Sequence, residues 1–204
     1  MPAIALAFSS LDPASRASGS RAVAPPGAPS DAQLLALALE SRHEAFDALY
    51  TAYKSRIYSF LLRLLGDPQL ADDVTQDALT KAFQAPPSLE RGTKILPWLY
   101  RVASNAGIDH LRRRRRFRWL RVHEVENTRD EPRESDSSAE VSEREHVRRV
   151  LRTLPPENAA ALLLHAVEGY SYKEIAEIQG ASLTAVRSRI ARARTAFQKV
   201  YATK

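Results

Sequence analysis

The sequence predicts an all-α protein: two small helical domains joined by a flexible acidic linker. Three observations carry that prediction. Apolar residues recur at three- and four-residue spacing, and no segment of any length alternates with a period of two. Glycine and proline interrupt the pattern at Gly66-Asp67-Pro68, Pro86-Pro87 and Pro155-Pro156, cutting it into pieces of helix length. Between Glu124 and Glu145 the composition turns acidic and polar, with Pro132 and Ser135 to Ser138 inside, and offers too little apolar surface to bury a core.

The elements follow in order. Residues 1–30 are rich in Ala, Ser, Pro and Gly, a disordered-tail composition, and the opening MPAIALAFSS lacks the basic start of a signal peptide. Asp31 caps a short helix to about Glu40. A longer helix runs from His43 to Leu65 and a third from Gln69 to Ala85; a loop follows from Pro86 to Lys94. The fourth begins near Ile95, where Pro97 is tolerable only in the first turn, and continues through Arg112–Arg116 to about Leu120. These helices form a domain over 31–120, followed by a linker over 121–138 and a second domain over 139–204. That second domain opens near Ala139, breaks after Leu154 at the proline pair, and resumes to Glu168.

The segment from Gly169 to Arg194 is the most legible. Ser171 with Glu174 three residues on can form a capping box, and Ile175, Ala176 and Ile178 give a short helix its apolar face. Gln179, Gly180 and Ala181 make a turn in which glycine can take positive φ, and Ser182 is placed to cap a second helix. In that helix Leu183, Val186, Ile190, Ala193 and Phe197 form one stripe to be buried. Thr184, Arg187, Ser188, Ala191 and Arg194 lie on the other side, flanked by Arg189 and Arg192. Two capped helices around a glycine turn, the second studded with arginine, read as a helix-turn-helix whose second helix would enter the major groove of DNA; the alternative is a solvated basic helix on an ordinary globular domain. Arginine there pairs bidentately with guanine or holds phosphate, and the small Ala191 lets the backbone approach.

The bulk properties agree. Of 204 residues 44% are apolar and 26% charged, and the net charge of +6 favours a polyanionic partner. With no cysteine, disulfides, thiol catalysis and cysteine-based zinc sites are excluded, and the five histidines are scattered. No apolar run approaches the roughly 20 residues of a membrane helix, so a cytoplasmic protein without membrane insertion is expected. No nucleophile–base set, phosphate loop or metal constellation is found, so neither catalysis nor a cofactor is expected. The only acidic candidates for an enzyme, Asp72, Asp73 and Asp77, lack convergent partners.

Two further faces stand out. Asp73, Gln76, Asp77 and Thr80 share one side of the third helix, either a solvated face or a docking surface for a protein. The fourth helix sets Trp98 and Tyr100 before five consecutive arginines. Arginines can follow a nucleic-acid backbone and aromatics can hold unstacked bases, while Trp98 reads equally well as a core residue. Such a run repels itself unless an anion neutralises it.

Together these residues resemble an RNA polymerase sigma factor of the extracytoplasmic-function (ECF, sigma-70 group 4) family. DDVTQDALTKAF resembles region 2.2, WLYRVASNAGIDHLRRRRR regions 2.3 and 2.4, and LPPENAAALLLHAVEGYSYKEIAEIQGASLTAVRSRIARAR region 4, in the family's order. The resemblance covers about Asp31 to Val200. It implies an alternative sigma factor whose partners are core RNA polymerase, through the β′ clamp helices and the β flap, promoter DNA and, for many members, an anti-sigma factor. It implies that Asp73, Gln76, Asp77 and Thr80 face the polymerase, and that Leu89, Trp98, Val102 and Asn105 form the pocket for a flipped −10 base. Arg112, Arg113, Arg115 and Arg116 would follow the DNA backbone, while Arg187, Ser188, Ala191, Arg192 and Arg194 would meet the −35 element. The chain departs from the family where Leu89 takes an aromatic place, Arg91-Gly92 fall one step late, Ile95 replaces a common Phe and Pro97 precedes Trp98. The acidic linker would thread a basic polymerase channel or shield the arginine run. An operator-binding regulator would share the helix-turn-helix, but leaves the N-terminal helices without a role.

Overall fold

The computed structural model describes residues 27, 29–84, 94–122 and 147–201. Within them lie α1 (Asp31–Glu40), α2 (Arg42–Leu65), α3 (Pro68–Gln84), α4 (Ile95–Val122), a helical run at 147–153, α5 (Pro156–Ala166), α6 (Tyr172–Gln179) and α7 (Leu183–Tyr201). The N-terminal tail, the loop from 85 to 93 and the acidic linker from 123 lie outside the described residues.

Local chemistry sets the helix ends. The cap of α1 is Ser30, one residue before the expected Asp31. The Ser30 hydroxyl accepts from the Gln33 amide at 3.2 Å and the Gln33 side chain accepts from the Ser30 amide at 2.7 Å. Asp31 sits instead in the first turn, where its charge faces the positive end of the helix dipole. Ser41 alone joins α1 to α2, closing the first and capping the second. α2 stops at Gly66, which takes a left-handed φ of 71°, and the Asp67 carboxylate accepts from the Leu70 amide to start α3. Pro97 falls in the first turn of α4 as expected. α5 begins after Pro155, with Pro156 in the first turn, and ends at Ala166, two residues short of the expected Glu168.

α2, α3 and α4 pack around Tyr53, Ile57, Phe60, Leu61, Leu79 and Leu99, all at most 2% exposed. α2 and α4 approach closely at Gly107, where a Cβ would lie 3.0 and 3.1 Å from the Leu64 and Leu61 methyls. In the C-terminal unit Leu162, Leu163 and Leu164 of α5 are fully buried, and α5, α6 and α7 pack together. Each such leucine contributes about 1.5–3 kcal/mol by leaving water.

The two units do not stand apart. α5 packs on α2 and α4, and α6 packs on α4. The buried side chains form one continuous cluster, through which an aromatic stack runs. Phe60 meets Tyr100 edge to face at 5.3 Å, and Tyr100 meets Tyr170 in the same way at 5.4 Å. Among the described residues no helix is long and apolar enough to cross a membrane.

Candidate nucleic-acid interface

The C-terminal helix pair is built by its caps. The Ser171 hydroxyl accepts from the Glu174 amide, and the Glu174 carboxylate accepts from the Ser171 amide and hydroxyl at 2.9 and 2.7 Å. The Ser171 side chain, then its amide, outweigh burial and hold the Glu174 carboxyl below its ordinary 4.5. α6 ends at Gly180, φ 57°, in open space, so backbone conformation rather than crowding demands glycine there. The Ser182 hydroxyl accepts from the Ala185 amide and caps α7. Arg189 donates to the Gln179 side chain at 2.7 Å, and Gln179 donates to the Glu157 carbonyl at 3.2 Å. Arg189, expected at the edge of the DNA-facing side, thus braces the turn.

α7 divides as expected, with one exception. Val186, Ile190, Ala193 and Phe197 are at most 1% exposed, but Leu183 is 40% exposed. As the first residue of α7 it lies at the end of the stripe, where its side chain finds no cover. On the opposite side Thr184, Arg187, Ala191 and Arg192 are exposed, and Ser188 and Arg194 partly so.

On α3 the four expected residues, Asp73, Gln76, Asp77 and Thr80, are all exposed, while Val74, Ala78 and Leu79 are buried beneath them. Gln76 donates to Asp72 at 2.8 Å, and Asp72 lies 3.7 Å from Lys54.

On α4 Trp98 and Val102 are partly buried against the core and Asn105 is exposed. Leu89, the fourth residue expected at this face, falls outside the described residues. Arg101, which sequence reasoning passed over, completes this face: Trp98, Arg101, Val102 and Asn105 stand at i, i+3, i+4 and i+7, and Arg101 is exposed. The same spacing count would have found it. Tyr100 does not belong to the face. It is fully buried, and its hydroxyl donates to Glu168 Oε2 at 2.5 Å.

The arginine run is partly engaged within the chain. Arg112 Nε donates to Glu157 Oε1 at 2.7 Å, and Arg115 donates to the carbonyls of Leu154 and Arg152. Burial opposes ionisation of Glu157, but its backbone hydrogen bond and Arg112 outweigh that and hold its carboxyl below the ordinary value. Arg113 and Arg116 are exposed. Among the described residues no three His, Asp or Glu side chains are grouped to hold a metal ion.

A helix-turn-helix with an exposed arginine face therefore shares one chain with an acidic helix face and a tryptophan–asparagine–arginine helix. Residues 49–117 match Sigma-70 region 2, and residues 144–197 match Sigma-70, region 4. The RNA polymerase sigma factor CarQ of Myxococcus xanthus is 31% identical over 150 residues, covering 74% of this chain and 85% of that protein. The ECF RNA polymerase sigma factor SigM of Mycobacterium tuberculosis is 30% identical over 171 residues, covering 84% of each. Among solved structures the fold is shared with the sigma factor RpoE of Bartonella quintana, crystallised with the anti-sigma factor NepR. Its TM-score is 0.58 at 24% identity, over 78% of this chain and 97% of that one. The chain belongs to the extracytoplasmic-function group of sigma-70 RNA polymerase sigma factors.

Proposed function

We propose that this chain is an alternative sigma factor that docks on core RNA polymerase through the α3 face and grips a promoter at two points. Asp73, Gln76, Asp77 and Thr80 supply the polymerase contact. Trp98, Val102 and Asn105, with Leu89 from the neighbouring loop, take an unstacked −10 base, an apolar slot with an amide for the base edge. Arg112, Arg113, Arg115 and Arg116 follow the DNA backbone. Arg187, Ser188, Ala191, Arg192 and Arg194 meet the −35 element in the major groove. The observation that supports this most is that one chain carries both α4, with Asn105 exposed beside Trp98 and Val102, and α7, with Arg187, Ala191 and Arg192 exposed.

Binding energy drives this reading. Captured bases offset lost stacking, and no covalent step or cofactor is assigned. The protein acts in the cytoplasm, where polymerase and promoter are. An anti-sigma factor is a further partner in this reading, as NepR is for the structurally similar RpoE. Reconstitution with core polymerase and a promoter library tests it. Stable association at submicromolar concentrations, with transcription from selected promoters, is expected. Failure to associate, or binding of duplex operators as a dimer without polymerase, overturns it.

A further inference from the structure

We propose that Leu183 selects a thymine methyl group in the upstream promoter element, so that an apolar contact specifies one base there beside the arginine contacts. This rests on the reading of α7 as the helix that enters the major groove, and it adds to that contact one residue and one base.

Leu183 is out of place for a core residue. Its spacing puts it in the stripe of Val186, Ile190, Ala193 and Phe197, which are at most 1% exposed, yet Leu183 is 40% exposed. Single exposed leucines are common on protein surfaces. What sets this one apart is how firmly it is held and what stands next to it.

The backbone at Leu183 is fixed from both sides. Leu183 is the first residue of α7. Before it, the Ser182 hydroxyl accepts from the Ala185 amide at 3.1 Å and the Ser182 carbonyl accepts from the Val186 amide at 3.0 Å. The turn that leads in is set by the left-handed Gly180 and by Arg189, which donates to the Gln179 side chain at 2.7 Å. A segment ordered before binding has less conformational freedom to lose on contact.

The neighbours are polar and exposed. Leu183 precedes Arg187 by one turn, at i and i+4, with Thr184 beside it, and both of those residues are exposed. It therefore stands at the leading edge of the arginine face. In helix-turn-helix docking the N-terminal residues of the second helix are the ones that reach base edges. The groups that distinguish base pairs in the major groove are hydrogen-bond donors and acceptors, with one apolar exception, the C5 methyl of thymine. A leucine side chain has no donor or acceptor, so this methyl is the group it can select. A phosphate offers it nothing.

Helix geometry places the base. Four residues of helix span about 6 Å, against a rise of about 3.4 Å per base pair, so the thymine lies within about two base pairs of the base that Arg187 meets.

The test removes the methyl from the DNA and the leucine from the protein, separately and together. The probe is a promoter selected from a random library with the holoenzyme. Each thymine of its upstream element is replaced in turn by deoxyuridine, which lacks only the methyl. Holoenzyme affinity is measured for the parent, Leu183→Ala, Leu183→Met and Arg187→Ala. For the parent, one replacement should weaken binding by about fourfold, the worth of one methyl group taken out of water. With Leu183→Ala, thymine and uracil should bind alike at that position. Leu183→Met keeps an apolar side chain and should keep the dependence. The sensitive position should lie within about two base pairs of the one where Arg187→Ala relaxes base preference. No methyl dependence near that position, or the same dependence with Leu183→Ala, overturns the assignment. Weaker association of Leu183→Ala with core polymerase, the methyl dependence being retained, places the leucine against the polymerase and also overturns it. The underlying reading fails in a different way: no holoenzyme forms, or no upstream element is selected. If an element is selected and Arg187→Ala relaxes it while no methyl matters, the role of Leu183 alone is wrong.

Discussion

The Tyr100 hydroxyl of α4 donates to Glu168 Oε2, just beyond α5, at 2.5 Å, a contact between residues 68 apart in sequence. Both groups are shielded from water, so neither exchanges its partner for solvent. A hydrogen bond to a charged, buried acceptor is worth about 1.5–3 kcal/mol. The pair sits where the two units meet, and the ring of Tyr100 also lies between Phe60 and Tyr170.

Tyr100→Phe keeps the ring stack and removes only the donor. Glu168 then retains Arg56 and Arg63 but loses its shortest hydrogen bond. A loss of about 1–3 kcal/mol in unfolding free energy is expected by urea titration. A variant as stable as the parent would mean that water or a side-chain shift replaces the hydroxyl at no cost, and that the pair does not hold the units together.

The difference between what could and could not be read in the sequence follows from range. The helix-turn-helix was legible because its determinants are local: the Ser171–Glu174 box, the left-handed Gly180 and the Ser182 cap each act within three residues. The α3 face was legible for the same reason, since Asp73 to Thr80 span two turns. The packing of the units was not. Tyr100 beside an arginine run reads as an aromatic offered to bases, and Glu168 reads only as the end of a helix. Only the fold brings them together. The five-arginine run called for an anion, and the acidic linker was the nearest candidate. Among the described residues Glu157, 45 residues from Arg112, meets that need for the first arginine of the run. Leu183 was misjudged because periodicity assigns a face without saying where the neighbouring helix ends.

Gly107 offers a second test of the fold. A Cβ there would sit 3.0 Å from a Leu64 methyl and 3.1 Å from a Leu61 methyl. Gly107→Ala should fall within about 1 kcal/mol of the parent, because the gain in helix propensity of roughly 1 kcal/mol offsets a small shift of two leucines. Gly107→Val adds two methyls to the same crossing and should destabilise by about 1–3 kcal/mol. The pair of thermal melts is the check. Equal melting temperatures for the valine and alanine variants would show that α2 and α4 can part without cost.

The proposed two-point promoter grip makes opposite demands on two exposed residues. Asn105 and Arg187 lie on different helices in different units, and neither is needed for packing, so both can be truncated with little effect on stability. Asn105→Ala removes the amide that would read a flipped base. With polymerase and a selected promoter it should reduce open-complex formation, seen by permanganate reactivity, while protection of the −35 region persists. Arg187→Ala removes a guanidinium that would face the major groove. It should weaken duplex binding by about 1–3 kcal/mol, the cost of one lost bidentate base contact, and relax sequence preference at that position. Opening should then recover on a heteroduplex already unpaired at −10. If both variants impair the same step, α4 and α7 do not hold separate promoter elements, and the assignment of opening to one unit and anchoring to the other is wrong.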